Sequence, residues 1–280
     1  MEYICPIFDE LRDTSPTPYE RDGWRLVRCN ETGLVFLPEP PAYEALEENF
    51  AWEETSVAER TRRRDAEPLF TRLSSLAKSV RKMVSPNRNH MAELAWSLLG
   101  DRCGEHEVRI LDVGCGTGNL MVDLVERFAE RSATAVPMGI EVSKVLSAKA
   151  NARFEPFGGS VVFANALEGA YLVEDGSVDL IVMHSFLEHE ARPKVLLEEL
   201  RSTLTPDGLV VLKVPNFACW NRVLRGDRWC GFRYPDHVNY FTPDTLRTLA
   251  ETSGYQIVRQ NFSERFPLSD NMYAVLSVSQ

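Results

Sequence analysis

Positive charge, histidine, cysteine and long apolar runs are all scarce in this chain of 280 residues. Lysine and arginine number 31 against 41 acidic residues, and the net charge of −10 disfavours wrapping naked nucleic acid or lying on an anionic membrane. No run approaches the ~20 apolar residues of a membrane helix; the best, Val178 to Met183, has the length of a strand. Six scattered cysteines are too few for a disulfide scaffold, and Met1 to Glu10 shows no cationic segment followed by an apolar one. These absences predict a reduced, cytoplasmic protein without membrane spans. Five histidines leave a small pool for acid–base chemistry. No G-x-x-x-x-G-K-S/T occurs, which excludes a nucleotide phosphate loop. The remaining composition, 44% apolar and 26% charged, excludes a disordered or collagen-like chain.

The length suits one large domain or a domain with an appendage, and the texture changes twice. Residues 1–50 are turn-rich and read as a small appendage, with Leu26 to Arg28 and Leu34 to Leu37 as short strands joined through Asn30 to Gly33. Residues 51–104 read as a helical cap or linker. Nine basic residues between Arg60 and Arg88 face only Asp65 and Glu67, a local net charge of +7. That patch reads as a solvated helix face, as a cap over a pocket for an anionic substrate, or as a nucleic-acid contact.

Residues 105–280 alternate apolar strands with helices. Strands are expected at Val108 to Val113, Ala135 to Ile140, Val161 to Ala164, Val178 to Met183, Leu209 to Val214, Gln256 to Val258 and Met272 to Val278. Helices are expected at Asn119 to Glu130, Ser143 to Arg153, Pro193 to Thr203 and Thr242 to Thr252, the last with Pro243 at its first position and Gly254 beyond its end. The pattern is that of an α/β protein whose mostly parallel sheet is covered on both faces and binds at the carboxyl ends of its strands.

The central signal is Ile110-Leu111-Asp112-Val113-Gly114-Cys115-Gly116-Thr117-Gly118-Asn119, a strand running through three glycines into a helix. A dinucleotide loop is G-x-G-x-x-G; here the spacing is G-x-G-x-G, and Asn119 stands where the third glycine would fall. Asp112 adds a carboxylate, which suits a cationic or amino-bearing ligand better than a pyrophosphate. Glu141 closes the next strand, where an acid can accept hydrogen bonds from both hydroxyls of a ribose.

With these residues the chain resembles the class I S-adenosylmethionine-dependent methyltransferases over roughly residues 90 to 280. Val178-Asp179-Leu180-Ile181-Val182, His184-Ser185-Phe186-Leu187-Glu188-His189 and Leu204 through Asn216 resemble that family's fourth strand, its following loop and its fifth strand. The resemblance implies a Rossmann-like seven-stranded sheet, order 3-2-1-4-5-7-6, with the last strand antiparallel. It implies S-adenosyl-L-methionine as donor, S-adenosyl-L-homocysteine as product, and no metal. Asp112 and the backbone around Gly114 and Gly116 would hold the donor's methionine portion, with Cys115, Gly118 and Asn119 as further donor contacts. Glu141 would take the ribose, Val142 would pack near the adenine, and Asn165 and Ala166 would meet the adenine edge. His184 would line the donor pocket.

Methyl transfer from a sulfonium needs in-line alignment and exclusion of water, and a hydroxyl or acidic carbon acceptor also needs a base. His184, His189 and His237 are the candidates. His237, in Tyr234-Pro235-Asp236-His237, reads either as a loop fastener or as a tuned base; His189 reads as local packing or proton transfer. The insert from Phe217 to Phe232 interleaves aromatics with arginines, either to wall a substrate pocket or to pack on the sheet or a partner. The N-terminus resembles a zinc ribbon of antibiotic and deoxysugar methyltransferases, with Phe8 and Thr32 in place of the second cysteine of each pair. Cys5 and Cys29 alone cannot complete a tetrahedral S4 site. The expected activity is methylation of a small-molecule acceptor, with O-methylation ahead of C- or N-methylation. A same-fold enzyme acting on RNA or protein is the alternative, followed by a binding protein that keeps only the fold. The insert and the appendage offer surfaces for a homodimer.

Overall fold

A computed structural model describes residues 1–41, 90–100 and 107–279. The basic patch and most of the expected helical linker lie outside the described residues; within them that region contributes α1 (His90–Leu99).

The chain opens with β1 (Glu2–Cys5), β2 (Glu10–Arg21), β3 (Trp24–Cys29) and β4 (Val35–Phe36). The last two are the expected short strands. The first two escape a local reading because Pro16 and Pro18 resemble turn punctuation. They are tolerated where the β2–β3 register slips between Pro16 and Glu20.

The main sheet contains β5 (Val108–Val113), β6 (Ala135–Glu141), β7 (Ser160–Phe163), β8 (Val178–His184), β9 (Leu204–Pro215), β11 (Tyr255–Arg259) and β12 (Asn271–Val278). Their order across the sheet is β11-β12-β9-β8-β5-β6-β7, the order that the family resemblance implies. Among these strands β12 runs antiparallel to both its neighbours. The winding reverses between β6 and β8, on either side of β5, which opens a crevice at the strands' carboxyl ends. The Asp207–Gly208 turn expected before the fifth strand lies instead within β9. There the register jumps from Leu204 opposite Val178 to Leu209 opposite Leu180.

Strand periodicity explains the unbroken apolar runs. In β5 and β8, Ile110, Leu180 and Val182 point into one core with residues of α1, α2 (Asn119–Ala129) and α3 (Lys144–Phe154). Leu111, Val113, Ile181 and Met183 point into the opposite core with residues of α4 (Ala166–Tyr171), α5 (Pro193–Thr203) and α7 (Pro243–Thr252). Both faces are covered, so successive residues must all be apolar.

The second of these cores also contains Cys5, Ile7, Val27, Cys29, Leu34 and Phe36 from the N-terminal strands. The join is a strand pairing as well: β10 (Asn239–Tyr240) pairs with β4, Asn239 opposite Phe36 and Tyr240 opposite Val35. A third core holds Leu26, Val35 and Leu37 against Phe217, Trp229, Phe232 and Tyr240. The appendage expected to lean on the rest is therefore built into it.

Candidate functional site

Because β5 to β8 run parallel, Asp112, Glu141, Asn165 and His184 all fall at or just beyond one end of the sheet. The glycine loop leaves β5 with three left-handed residues, Gly114 (φ 73°), Gly116 (φ 55°) and Gly118 (φ 73°). L side chains rarely tolerate that conformation. The three glycines differ in what surrounds them. A Cβ on Gly114 would run into the Phe186 ring, and one on Gly118 would come within 2.6 Å of Phe154 Cε1. A Cβ on Gly116 would meet nothing within 4 Å. Of the three, the half-buried Gly116 has open space on its Cβ side, where a ligand can approach.

Glu141 organises this loop. Its carboxylate, 7% exposed, accepts the Gly116 N–H at 2.8 Å and the Ser143 N–H at 2.9 Å. Each oxygen keeps a lone pair for a further donor. Asp112 is 3% exposed. Burial, and secondarily the neighbouring Glu141 charge, push its carboxyl up to about 8. Two buried carboxylates beside an open backbone suit a ligand that carries both a cation and hydroxyl groups.

The other expected contacts are placed less uniformly. Cys115 is buried with its sulfur close over Gly139, so it offers the crevice backbone rather than a thiol. Asn119 is exposed, with its amide donating to Thr117 Oγ1 and its carbonyl accepting from Arg153. Val142 is half-buried and Ala166 buried. Asn165 caps α4, its side-chain carbonyl accepting the Glu168 N–H at 2.9 Å, so one of its lone pairs is already engaged.

The loop after β8 carries the histidines. His184 reaches solvent at the strand end, and the walls around it and the Lys213 ammonium depress its pKa to about 4. Ser185 adopts φ 59°, a strained conformation for a residue with a side chain, held by its N–H to the Lys213 carbonyl (2.8 Å) and by Lys213 Nζ donating to its hydroxyl (3.0 Å). The twist sends Phe186 back over Gly114, a contact that no local motif announces. His189 and His237 meet edge to face, centroids 4.7 Å apart. His237 is 5% exposed and its Nδ1 lies 2.8 Å from the Gly231 carbonyl, which supports the fastener reading.

The profile of a family described as a methyltransferase domain matches residues 58–260. The chain belongs to that methyltransferase family. Three ubiquinone biosynthesis O-methyltransferases from strains of Cereibacter sphaeroides are 27% identical to it over 154 residues, 52% of this chain and 60% of theirs. The chain thus spans 60% of the length of the curated relatives it matches. A S-adenosylmethionine-dependent methyltransferase from Clostridium acetobutylicum superposes with a TM-score of 0.52 at 12% identity, over 74% of this chain and 99% of the other. Magnesium protoporphyrin IX methyltransferase from Synechocystis, solved with bound SAH, gives 0.51 at 15% identity over 72% and 87%. The CMeT domain of the citrinin polyketide synthase gives 0.53 at 18% identity over 70% and 54%. These likenesses speak for the fold.

The aromatic insert resolves into packing. Phe217, Trp229 and Phe232 are buried against the N-terminal strands, while Arg222 stacks on Phe217, its guanidinium carbon 4.2 Å from the ring centroid, and donates to Tyr19 Oη at 2.7 Å. Trp220, 60% exposed on α6 (Trp220–Arg225), stays outside that core. Among the described residues no helix is long and apolar enough to cross a membrane.

Proposed function

We propose that this methyltransferase moves the methyl group of S-adenosyl-L-methionine to a hydroxyl of a small molecule, a sugar or secondary metabolite, by in-line displacement. The observation that carries the donor assignment is the pair of buried carboxylates, Asp112 and Glu141, flanking the open backbone of Gly116. Asp112 would neutralise the donor's cationic methionine end, and Glu141 would accept from its ribose hydroxyls with the lone pairs its backbone bonds leave over. When bound, the donor supplies a methyl on a sulfonium, and the positive charge disappears on transfer. The chain's own task is alignment and exclusion of water, with Phe186 closing over Gly114.

A hydroxyl acceptor is supported by the relatives named as O-methyltransferases. His189 is the base in this reading. Its ring is half-buried and held through Nδ1 by the Asp236 carbonyl at 2.7 Å, whereas His237 stands behind it. Asn165 and Val142 would border the adenine. The net charge supports a small acceptor over nucleic acid. The five described cysteines are free, in keeping with a reduced cytoplasmic setting, and the exposed Trp220 offers a surface for a homodimer. The N-terminal strands read as a ribbon whose metal has been replaced by packing, Cys5 and Cys29 buried in the core and Phe8 packed against it.

Incubation with methyl-labelled donor and a metabolite extract, bulk tRNA or lysate protein tests the assignment. Label is expected in the metabolite fraction as a methyl ether. His189→Gln should lower that turnover by about 100-fold or more, within the usual contribution of a general base, with SAH binding unchanged. Greater labelling of tRNA or protein would move the enzyme to the macromolecular class, and labelling at carbon or nitrogen would replace the O-methyl reading.

A further inference from the structure

Glu188 and His189 follow β8, and His237 closes the loop that leads into β10. The backbone draws them together: the Glu188 carbonyl accepts the N–H groups of Val238 (2.8 Å) and Asn239 (3.0 Å). Both imidazoles are then oriented by main-chain carbonyls, His189 Nδ1 to Asp236 O at 2.7 Å and His237 Nδ1 to Gly231 O at 2.8 Å. A carbonyl oxygen only accepts, so each Nδ1 carries a hydrogen, and in the neutral ring Nε2 is left with a bare lone pair. One nitrogen of each ring and one Glu188 carboxylate oxygen lie within 4.8 Å of one another. Glu188 is 1% exposed, and its Oε2 has no hydrogen-bond partner. A buried carboxylate oxygen without a partner, on a residue gathered with two imidazoles, is a costly arrangement if nothing binds there.

We propose that Glu188, His189 and His237 form a binding site for a first-row divalent transition cation, with Zn²⁺ suited to the donor set and at least one coordination position left open. Two imidazoles and one carboxylate favour zinc or ferrous iron over Mg²⁺ or Ca²⁺, which prefer all-oxygen sites. Zinc bonds of about 2.0–2.1 Å place tetrahedral ligands about 3.3 Å apart, inside the 4.8 Å that bounds the three donor atoms. An Nδ1–H held by a carbonyl is the usual support of a ligating histidine. The Arg233 guanidinium lies 2.8 Å from Asp236 Oδ2 and Lys213 Nζ donates to Ser185, while both cations also favour the ionised Glu188 carboxylate. Entry is past His189, whose side chain is 20% exposed.

Methyl displacement from a sulfonium requires no metal, and Cys5 and Cys29 cannot complete a zinc site; this trio uses neither cysteine. The inference goes beyond the proposed activity. With a cation bound, both imidazoles hold metal rather than a substrate proton, so the site competes with the base assignment and leaves donor binding untouched.

The test uses the full chain stripped with a chelator and titrated with Zn²⁺ by calorimetry and with Co²⁺ by visible absorption. One equivalent is expected. Glu188→Gln should weaken uptake at least 100-fold while still binding SAH, and a Cys5→Ser, Cys29→Ser double variant should retain uptake. In the unmutated protein, labelled at histidine, Co²⁺ should broaden the His189 and His237 resonances and spare His90. This readout holds even where a variant fails to fold. No uptake by folded protein would overturn the site in favour of an internal Glu188–His189 ion pair. Unchanged uptake in Glu188→Gln, or loss only in the cysteine variant, would overturn it too. Failed SAH binding alongside intact metal uptake would count against the donor cradle and not against this site.

Discussion

The proposed role of Asp112 in donor binding has a measurable proton signature. Burial and the adjacent Glu141 charge raise it from an ordinary 3.8 to about 8, so in the empty protein it is about nine-tenths protonated at pH 7. Binding SAH, whose α-ammonium is cationic, selects the ionised carboxylate. About 0.9 proton should leave per SAH bound at pH 7, and only about 0.1 at pH 9. Calorimetry in buffers of different ionisation enthalpy reads that number directly. Asp112→Asn preserves the side chain's shape and should bring the difference between the two pH values close to zero. Affinity in the unmutated protein should then rise about tenfold from pH 7 to pH 9 relative to the variant. The linked stability has a definite sign. The folded carboxyl holds its proton more tightly than the unfolded one, so its contribution is fully present below about 3.8 and is lost as pH rises through about 8. The melting temperature of the empty protein should therefore fall over that window more steeply than the variant's. Equal proton release from both proteins would refute a cation-binding role for Asp112.

Glu141→Ala removes the acceptor of two backbone N–H groups as well as the expected ribose contact. The SAH dissociation constant should rise more than tenfold by calorimetry. Thermal or denaturant melts should also show a loss of about 1–3 kcal/mol, the cost of orphaning buried donors. Gly114→Ala places a side chain at φ 73° and against Phe186. It should lose about 1–2 kcal/mol from the left-handed backbone alone and abolish SAH binding. Adding Phe186→Ala should restore part of the binding; no recovery in the double variant would show that the ring contact is irrelevant.

Much of the architecture was legible along the chain because its signals are local. Leu111 and Ile181 face one core and Ile110 and Leu180 the other, and this two-sided burial writes itself as continuous apolar runs. Helix ends carry their own chemistry. Pro193 to Thr203 was placed to the residue, and Thr242 caps α7 by a reciprocal bond with Thr245 before Gly254 turns left-handed. The spacing of Gly114, Gly116 and Gly118 separated this loop from a dinucleotide loop. Side-chain destinations were less legible, since Asn165 and Asn119 offer groups that a nearby backbone or Arg153 can take up before any ligand does.

Contacts between distant segments were decided only by the folded chain. Pairing of β4 with β10, burial of Trp229 and Phe232 against Leu26, and the meeting of Glu188 and His189 with His237 join segments far apart in sequence. A local window contains the residues but not their partners, because main-chain pairing is indifferent to side-chain identity and apolar burial is non-directional. The residues proposed to hold the donor were therefore legible in one short loop and one strand end. The cluster beside it joins two distant segments, which the Glu188 carbonyl links by accepting from Val238 and Asn239 across the fold.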